Sequence, residues 1–192
     1  ATVGTADELA LYKALLNGAD TITGSSGNDV IEGFGGNDKL VGGGGKDWLI
    51  GGSGNDRMEG GGGNDKLIGG AGRDFMTGGT GADVFDFNLV SEIGKGSTCD
   101  RITDFVHLID DIDLSTIDAN GSAAGNTAFK FLAAKGAAFT GVKGQLHWFQ
   151  VNAPGTVNDK TLVEGDINGD KIADFRIELT GLKILTSGDF IL

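Results

Sequence analysis

The sequence is poor in cysteine, histidine, proline and positive charge, and these shortages exclude several classes of protein. Its one cysteine, Cys99, cannot form an internal disulfide bond. No apolar run is long enough to span a membrane, and no basic segment followed by an apolar one marks a cleaved signal peptide. With 15 basic against 27 acidic residues, the net charge of −12 excludes nucleic acid and anionic membranes as expected partners and favours cations.

The motifs of common hydrolases are missing as well. The only two histidines, His107 and His147, belong to no H-E-x-x-H helix, so zinc proteolysis is not expected. No G-x-S-x-G elbow is present, and Cys99, the only cysteine, has no plausible basic partner for thiol catalysis. Carboxylates are abundant, but metal binding explains their regular spacing. The sequence therefore predicts a module without catalytic residues and without an organic cofactor.

Glycine, by contrast, is abundant, with 36 residues in the chain, and those between Gly18 and Gly81 follow a nine-residue repeat. Eight consecutive blocks between Leu15 and Asp86 have glycine at the fourth position, aspartate at the sixth and an apolar residue at the eighth. Such regularity exceeds that of turn-rich, low-complexity sequence. The apolar residues are Ile22, Ile31, Leu40, Leu49, Met58, Leu67, Met76 and Phe85.

This spacing predicts a solenoid in which each block forms a six-residue glycine-rich turn and a three-residue strand. Two blocks complete one coil, so every second block stacks on the same side. Stacked aspartates repel each other unless a hard cation lies between them. Calcium suits this position because it accepts carboxylate and carbonyl oxygens in flexible geometry, whereas magnesium resists losing its water.

The blocks match G-G-x-G-x-D-x-U-x and resemble the RTX, or hemolysin-type, β-roll of serralysin-type proteases, lipases, toxins and mannuronan epimerases. The resemblance implies an all-β protein. An N-terminal capping helix within residues 1–17 would precede a right-handed parallel β-roll over 18–86 and a C-terminal antiparallel β region over 87–192. About six calcium ions would bind, and their charge would offset the −12 of the chain.

The resemblance also implies the ligands of each ion. These are the aspartate and the carbonyls of positions two and four in one block, with the aspartate and the carbonyls of positions one and three two blocks later. One such set joins Gly43, Gly45 and Asp47 to Gly60, Gly62 and Asp65. The residues implied are Asp20, Ser25, Gly27, Asp29, Gly33, Phe34, Gly35, Gly36, Asp38, Gly42, Gly43, Gly44, Gly45, Asp47, Gly51, Gly52, Ser53, Gly54, Asp56, Gly60, Gly61, Gly62, Gly63, Asp65, Gly69, Gly70, Ala71, Gly72, Asp74, Gly78, Gly79, Thr80, Gly81 and Asp83.

The two ends of the repeat depart from this pattern. The second block has Ser25 where glycine is usual, so the first site is expected to be incomplete. Beyond Asp83 the repeat stops, and Asp100 or Asp104 are expected to supply further ligands. At the N-terminus, residues 5–16 predict a helix with a capping box of Thr5 and Glu8, which would cover the open end of the solenoid.

A second candidate site lies outside the repeat. The loop at 166–174 alternates oxygen-bearing side chains, at Asp166, Asn168, Asp170 and Asp174, as EF-hand loops do. Lys171 replaces the usual glycine, and no glutamate closes the loop. The loop is either a metal site or a solvated hairpin turn.

The final residues, Asp189 to Leu192, resemble the end of the type I secretion signal of serralysin-family proteins. The resemblance implies a secreted, extracellular protein, with the type I secretion apparatus as a transient partner and an attached hydrolytic domain if the chain is a fragment. Calcium outside the cell would fold the repeats. The alternative is an adhesin or a polysaccharide-binding module, although Lys39, Lys46, Arg57, Lys66 and Arg73 are dispersed in sequence.

Overall fold

The computed structural model describes residues 17–121, 126–152 and 158–192. The helix predicted over 5–16, with its capping box, lies outside the described residues. The strands of the repeat are β1 (Thr21–Thr23), β2 (Val30–Glu32), β3 (Lys39–Gly44), β4 (Trp48–Ser53), β5 (Arg57–Gly62), β6 (Lys66–Ala71), β7 (Phe75–Thr80) and β8 (Val84–Asp86). There follow α1 (Val90–Ile93), β9 (Arg101–Ile102), β10 (Asp111–Asp113), β11 (Lys130–Phe131), β12 (Gln145–Val151), β13 (Lys160–Asp166), β14 (Phe175–Thr180) and β15 (Phe190–Ile191).

The strands of the repeat alternate between two sheets, as the eighteen-residue coil requires. Sheet A has the order β1-β3-β5-β7-β9-β14-β13-β12-β11, and sheet B has the order β15-β10-β8-β6-β4-β2. Neighbouring strands of the repeat are parallel, and equivalent residues pair, as Leu40 does with Met58 and Leu49 with Leu67. The predicted all-β fold with a parallel β-roll is thereby confirmed.

The core of the roll is one column of apolar side chains from each sheet. These are the eighth residues of the blocks, and Leu40, Leu49, Met58, Leu67 and Met76 are each 0% exposed. Burial of each such side chain contributes about 1.5–3 kcal/mol. Because each nine-residue block contributes only one buried apolar side chain, the apolar core of the roll is thin.

The strands of the central coils are longer than predicted. In β3 to β7 each strand runs for six residues instead of three, because the second and third turn residues also pair with the neighbouring coil. This close stacking requires glycine. Gly43 has a φ of +110°, and a Cβ there would lie 2.1 Å from the carbonyl oxygen of Ser25.

The C-terminal region extends both sheets of the roll. Strands β12, β13 and β14 are antiparallel, but β9, β10, β11 and β15 pair in parallel, so the region predicted as antiparallel over 87–192 is only partly so. Strand β14 joins sheet A by pairing with β9. In sheet B, β10 pairs in parallel with β8 and then with β15. Phe105, Phe175 and Ile177, all 0% exposed, continue the apolar core. Within the residues that the structure describes, no helix is long and apolar enough to cross a membrane.

Candidate metal centre

The aspartates of the repeat form two columns along the edges of the roll. After the first aspartate of each column, one Oδ atom of each accepts a hydrogen bond from the backbone N–H of the aspartate one coil earlier, as Asp47 Oδ1 does from Asp29 at 2.8 Å. Most of these carboxylates are at most 3% exposed. The column before sheet A contains Asp20, Asp38, Asp56, Asp74 and Asp100. The column before sheet B contains Asp29, Asp47, Asp65, Asp83 and Asp110.

The second oxygen of most of these carboxylates has no donor. A buried carboxylate oxygen without a hydrogen bond or a cation is strongly unfavourable, because it has lost its hydration. Asp29 is an exception, since the N–H and hydroxyl of Ser25 donate to its Oδ2 at 2.7 and 2.8 Å. Buried Oδ2 atoms without a hydrogen-bond partner belong to Asp20, Asp38, Asp47, Asp56, Asp65, Asp74, Asp83 and Asp100.

A glycine at the first position of every block after the first leaves space beside this open oxygen. A Cβ at Gly42 would lie 2.4 Å from Asp47 Oδ2 and 2.6 Å from the carbonyl oxygen of Gly60, which belongs to the next coil. A carboxylate and a carbonyl from two coils therefore converge on one point at distances typical of calcium–oxygen bonds. Equivalent pairs of oxygens occur at Gly24, Gly33, Gly51 and Gly60.

The electrostatics of the columns also favour a bound cation. Burial raises the pKa of Asp74 to about 7 and that of Asp100 to about 9, and neighbouring carboxylates add to the effect. Burial likewise raises the pKa of Asp56 and of Asp83 to about 6. In the part of the chain that the structure describes, no three His, Cys, Asp or Glu side chains gather closely enough to hold an ion alone. Backbone carbonyls must contribute ligands, and this all-oxygen donor set fits calcium.

Beyond the repeat, two more aspartates continue the columns, and only one of them was predicted as a ligand. Asp100 was a predicted ligand, and its Oδ1 accepts the N–H of Asp74 at 2.8 Å. Asp110 was missed, although its Oδ1 accepts the N–H of Asp83 at 3.1 Å. The missed signal is the triplet Asp-x-Ile, which recurs at Asp100 and Asp110 after longer insertions.

Asp104, the other predicted ligand beyond the repeat, lies at the last glycine turn. Its two oxygens accept the N–H groups of Gly78 and Gly79, at 3.0 and 2.8 Å. Its negative charge also raises the pKa of Asp83 and of Asp110. Asp104 therefore lies at this turn, where both of its carboxylate oxygens accept hydrogen bonds from backbone N–H groups.

A ladder of asparagines at the fifth position was also missed. Asn55 Oδ1 accepts the N–H of Arg73 at 2.8 Å, and the N–H of Asn55 donates to Asn37 Oδ1 at 2.7 Å. Asn28 and Asn64 make the same contact with the next coil. The repeated Gly-Asn-Asp triplet was the available signal. These side chains join the coils on the solvent side of the aspartates.

The acidic loop at 166–174 is closed by its own backbone. The oxygens of Asp166 accept the N–H groups of Gly169 and Lys171 at 2.7 and 3.0 Å. Asp174 accepts the N–H of Ile167 at 2.8 Å. The loop forms a hairpin turn between β13 and β14, and a metal site there stays a prediction.

The fold aligns basic residues that are dispersed in sequence. On the outer face of sheet A, Lys39, Arg57, Phe75 and Arg101 are paired neighbours in one row. The guanidinium groups of Arg73 and Arg101 lie 5.0 and 5.5 Å from the centre of the Phe75 ring. Arg101 also forms an ion pair with Glu178 on the next strand, so the row presents Lys39 and Arg57 beside an aromatic ring.

Comparisons with known proteins agree with this geometry. The family described as RTX calcium-binding nonapeptide repeat (4 copies) matches residues 16–49 and 50–85. The solution structure of the R3 subunit of a mannuronan C5-epimerase from Azotobacter vinelandii is similar, with 28% identity over 91% of this chain and 78% of that one and a TM-score of 0.54. The R2 subunit has 24% identity over 89% and 91% of the two chains and a TM-score of 0.45. No curated protein sequence matches the chain.

Proposed function

We propose that this chain, whose residues 16–85 are RTX calcium-binding nonapeptide repeats, is a noncatalytic module that folds on binding calcium outside the cell. It supports export by a type I secretion apparatus and stabilises an attached domain, which we expect to be a hydrolase. The observation that carries the proposal is the row of buried aspartate oxygens without donors.

Calcium dependence follows from the balance of forces in the roll. The apolar core is thin, and the carboxylates that flank it are buried close to one another. Without a cation their repulsion and desolvation oppose folding, so the repeats stay extended where free calcium is scarce. Outside the cell, calcium at about millimolar concentration would occupy the sites and fold the chain.

The C-terminal tail fits both export and closure of the fold. Asp189 is 0% exposed and accepts hydrogen bonds from the N–H groups of Leu108 and Thr186, at 2.8 and 2.6 Å. The next two residues form β15 at the edge of sheet B. We propose that the tail is an extended export signal before folding and closes sheet B afterwards.

The calcium dependence is tested by circular dichroism and calorimetry of the whole chain. With chelator we expect little β-structure, and on addition of calcium a cooperative gain in β-structure together with heat of binding. Magnesium at the same concentration is the control and should have a much smaller effect. Full β-structure in chelator would contradict the proposal.

A second candidate function is binding of an acidic polysaccharide. The row of Lys39 and Arg57 beside Phe75 favours it, because cations and an aromatic ring on a flat face suit a sugar chain that bears carboxylates. The similarity to a subunit of a mannuronan C5-epimerase points to the same class of ligand.

Mannuronan binding in saturating calcium tests this second function. The double variant K39A/R57A should weaken binding, whereas K46A, which removes a charge from an exposed turn instead of the row, should not. Equal binding by the two variants, or no binding by the unmodified chain, would remove this candidate.

A further inference from the structure

One turn of the roll differs from the others in the donors that it offers to its aspartate. In the second block the backbone N–H of Ser25 donates to Asp29 Oδ2 at 2.7 Å, and the Ser25 hydroxyl donates to the same atom at 2.8 Å. The N–H of Gly27 donates to the Ser25 hydroxyl oxygen at 3.1 Å and so orients this side chain. In contrast, the aspartates of the six later blocks, from Asp38 to Asp83, each have an Oδ2 without a donor.

The space beside Asp29 Oδ2 otherwise has the form of a regular site. A Cβ at Gly24 would lie 2.4 Å from the carbonyl oxygen of Gly42, which belongs to the next coil, and 2.8 Å from Asp29 Oδ2. The resemblance of the repeat implied an ion here. However, the N–H of Ser25 points at the carboxylate oxygen, and its direction is fixed by the backbone. A donor hydrogen carries partial positive charge and offers no lone pair, so it opposes a cation at this point.

The backbone conformation of Ser25 distinguishes this turn. The second residue of the later blocks has a positive φ, as Gly43 and Gly61 do at +110°. Even Phe34, at the same position of the third block, has a φ of +67°, and Asp38 in that block keeps its open oxygen. Ser25 is not among the residues with a positive φ. Loss of glycine is therefore not sufficient to close a turn, and the difference lies in the serine hydroxyl, which bonds within its own turn.

The far end of the same column is closed in a similar manner. The N–H of Val106 donates to Oδ2 of Asp110, the last aspartate of the column, at 2.7 Å. The hydrogen bonds from the N–H and the hydroxyl of Ser25 lower the pKa of Asp29, whereas burial raises the pKa of Asp56 to about 6. The charge of Asp29 is thus stabilised by donors of the chain itself, and it needs no cation.

We propose that Ser25 closes the first turn of the column before sheet B against calcium, and that its N–H and hydroxyl take the place of the ion. The turn at 24–29 then forms without metal, and the ion expected between Asp29 and Asp47 does not bind. Calcium binding in this column begins at Asp47, whose Oδ2 is buried without a donor. The inference rests on the proposed calcium-binding function.

The test is calorimetric counting of the calcium ions bound by the whole chain, comparing S25G with the control S26G. Glycine at position 25 lacks the hydroxyl and adopts a positive φ without strain, so the turn should become a regular site. Ser26 is the next residue of the same turn and is exposed, so S26G makes the same chemical change beside the site. We expect S25G to bind one ion more than the unmodified chain, with a Kd of about 10⁻⁴–10⁻³ M, while S26G binds the same number as the unmodified chain.

The outcomes separate this inference from the function on which it rests. If the unmodified chain binds no calcium, the proposed function fails and this inference fails with it. If the chain binds calcium but S25G gains no ion, only the role of Ser25 is wrong. If S25G does not fold even in saturating calcium, D29N decides. The proposal requires D29N to keep every ion, whereas D65N, which alters an aspartate with an open oxygen, should lose at least one. Loss of an ion in D29N overturns the proposal.

Discussion

Substitution of Gly60 by alanine should remove one calcium site without changing its ligands. A Cβ at Gly60 would lie 2.4 Å from Asp65 Oδ2 and 2.6 Å from the Gly78 carbonyl oxygen. The methyl group would therefore occupy the point where the two oxygens converge. Gly62, two residues along the same strand, is the matched control, because a Cβ there meets only Thr80 Oγ1 at 3.6 Å.

The expected magnitude follows from the linkage between binding and folding. Extracellular calcium modules bind with Kd values of about 10⁻⁴–10⁻³ M, so in about 10 mM calcium one site stabilises the fold by about 1.4–2.7 kcal/mol. For a chain of this size, loss of that amount lowers the Tm by roughly 3–11 °C. G62A should change stability little, because no close contact arises and alanine restricts the unfolded chain.

Measurement of the Tm against calcium concentration, with calorimetric counting of the ions, checks this prediction. G60A should bind one ion fewer and show a shallower rise of Tm with calcium than G62A. Overpacking by the added methyl group would also lower the Tm, but this effect is present at every calcium concentration and does not change the dependence of the Tm on calcium. If G60A kept the full number of ions and the same dependence of Tm on calcium, the assignment of the site to this space would be refuted.

Two further predictions concern the aspartate and asparagine ladders. In chelator, lowering the pH from about 7.5 to 5 should increase β-structure by circular dichroism, because the folded-state pKa values of Asp74 and Asp56, about 7 and 6, lie above the usual value of about 3.8. Because the pKa of these carboxyls is raised in the folded state, their protonation stabilises the fold at low pH. This stabilisation is lost as the pH rises through 6 to 7. A loss of β-structure on acidification would contradict this prediction. N55A should lower the free energy of unfolding in saturating calcium by about 0.5–1.5 kcal/mol, because it removes the acceptor of the Arg73 N–H. The number of bound ions should stay the same in N55A, and a lost ion would show instead that the asparagines belong to the metal sites.

Much of the roll could be predicted from spacing alone. The eighth residue of each block had to face inward and the sixth had to stack, because a repeat of nine with two blocks per coil brings equivalent residues together one coil apart. Leu49 pairs with Leu67 in this way, and Asp47 contacts the Asp29 N–H. These contacts link residues at a constant separation, so a pattern in the sequence is enough to reveal them.

The features that the repeat does not encode were decided by the tertiary structure. Asp100 joins its column across 26 residues and Asp110 joins its column across 27, at separations that no period predicts. The loop at Asp166 has the alternating oxygen-bearing side chains of a cation site, and in the folded chain Asp166 accepts hydrogen bonds from two backbone N–H groups of a hairpin turn. A metal site there stays a prediction. Sequence spacing determines contacts that recur, whereas the contacts of the irregular segments depend on which backbone groups the folded chain leaves within reach.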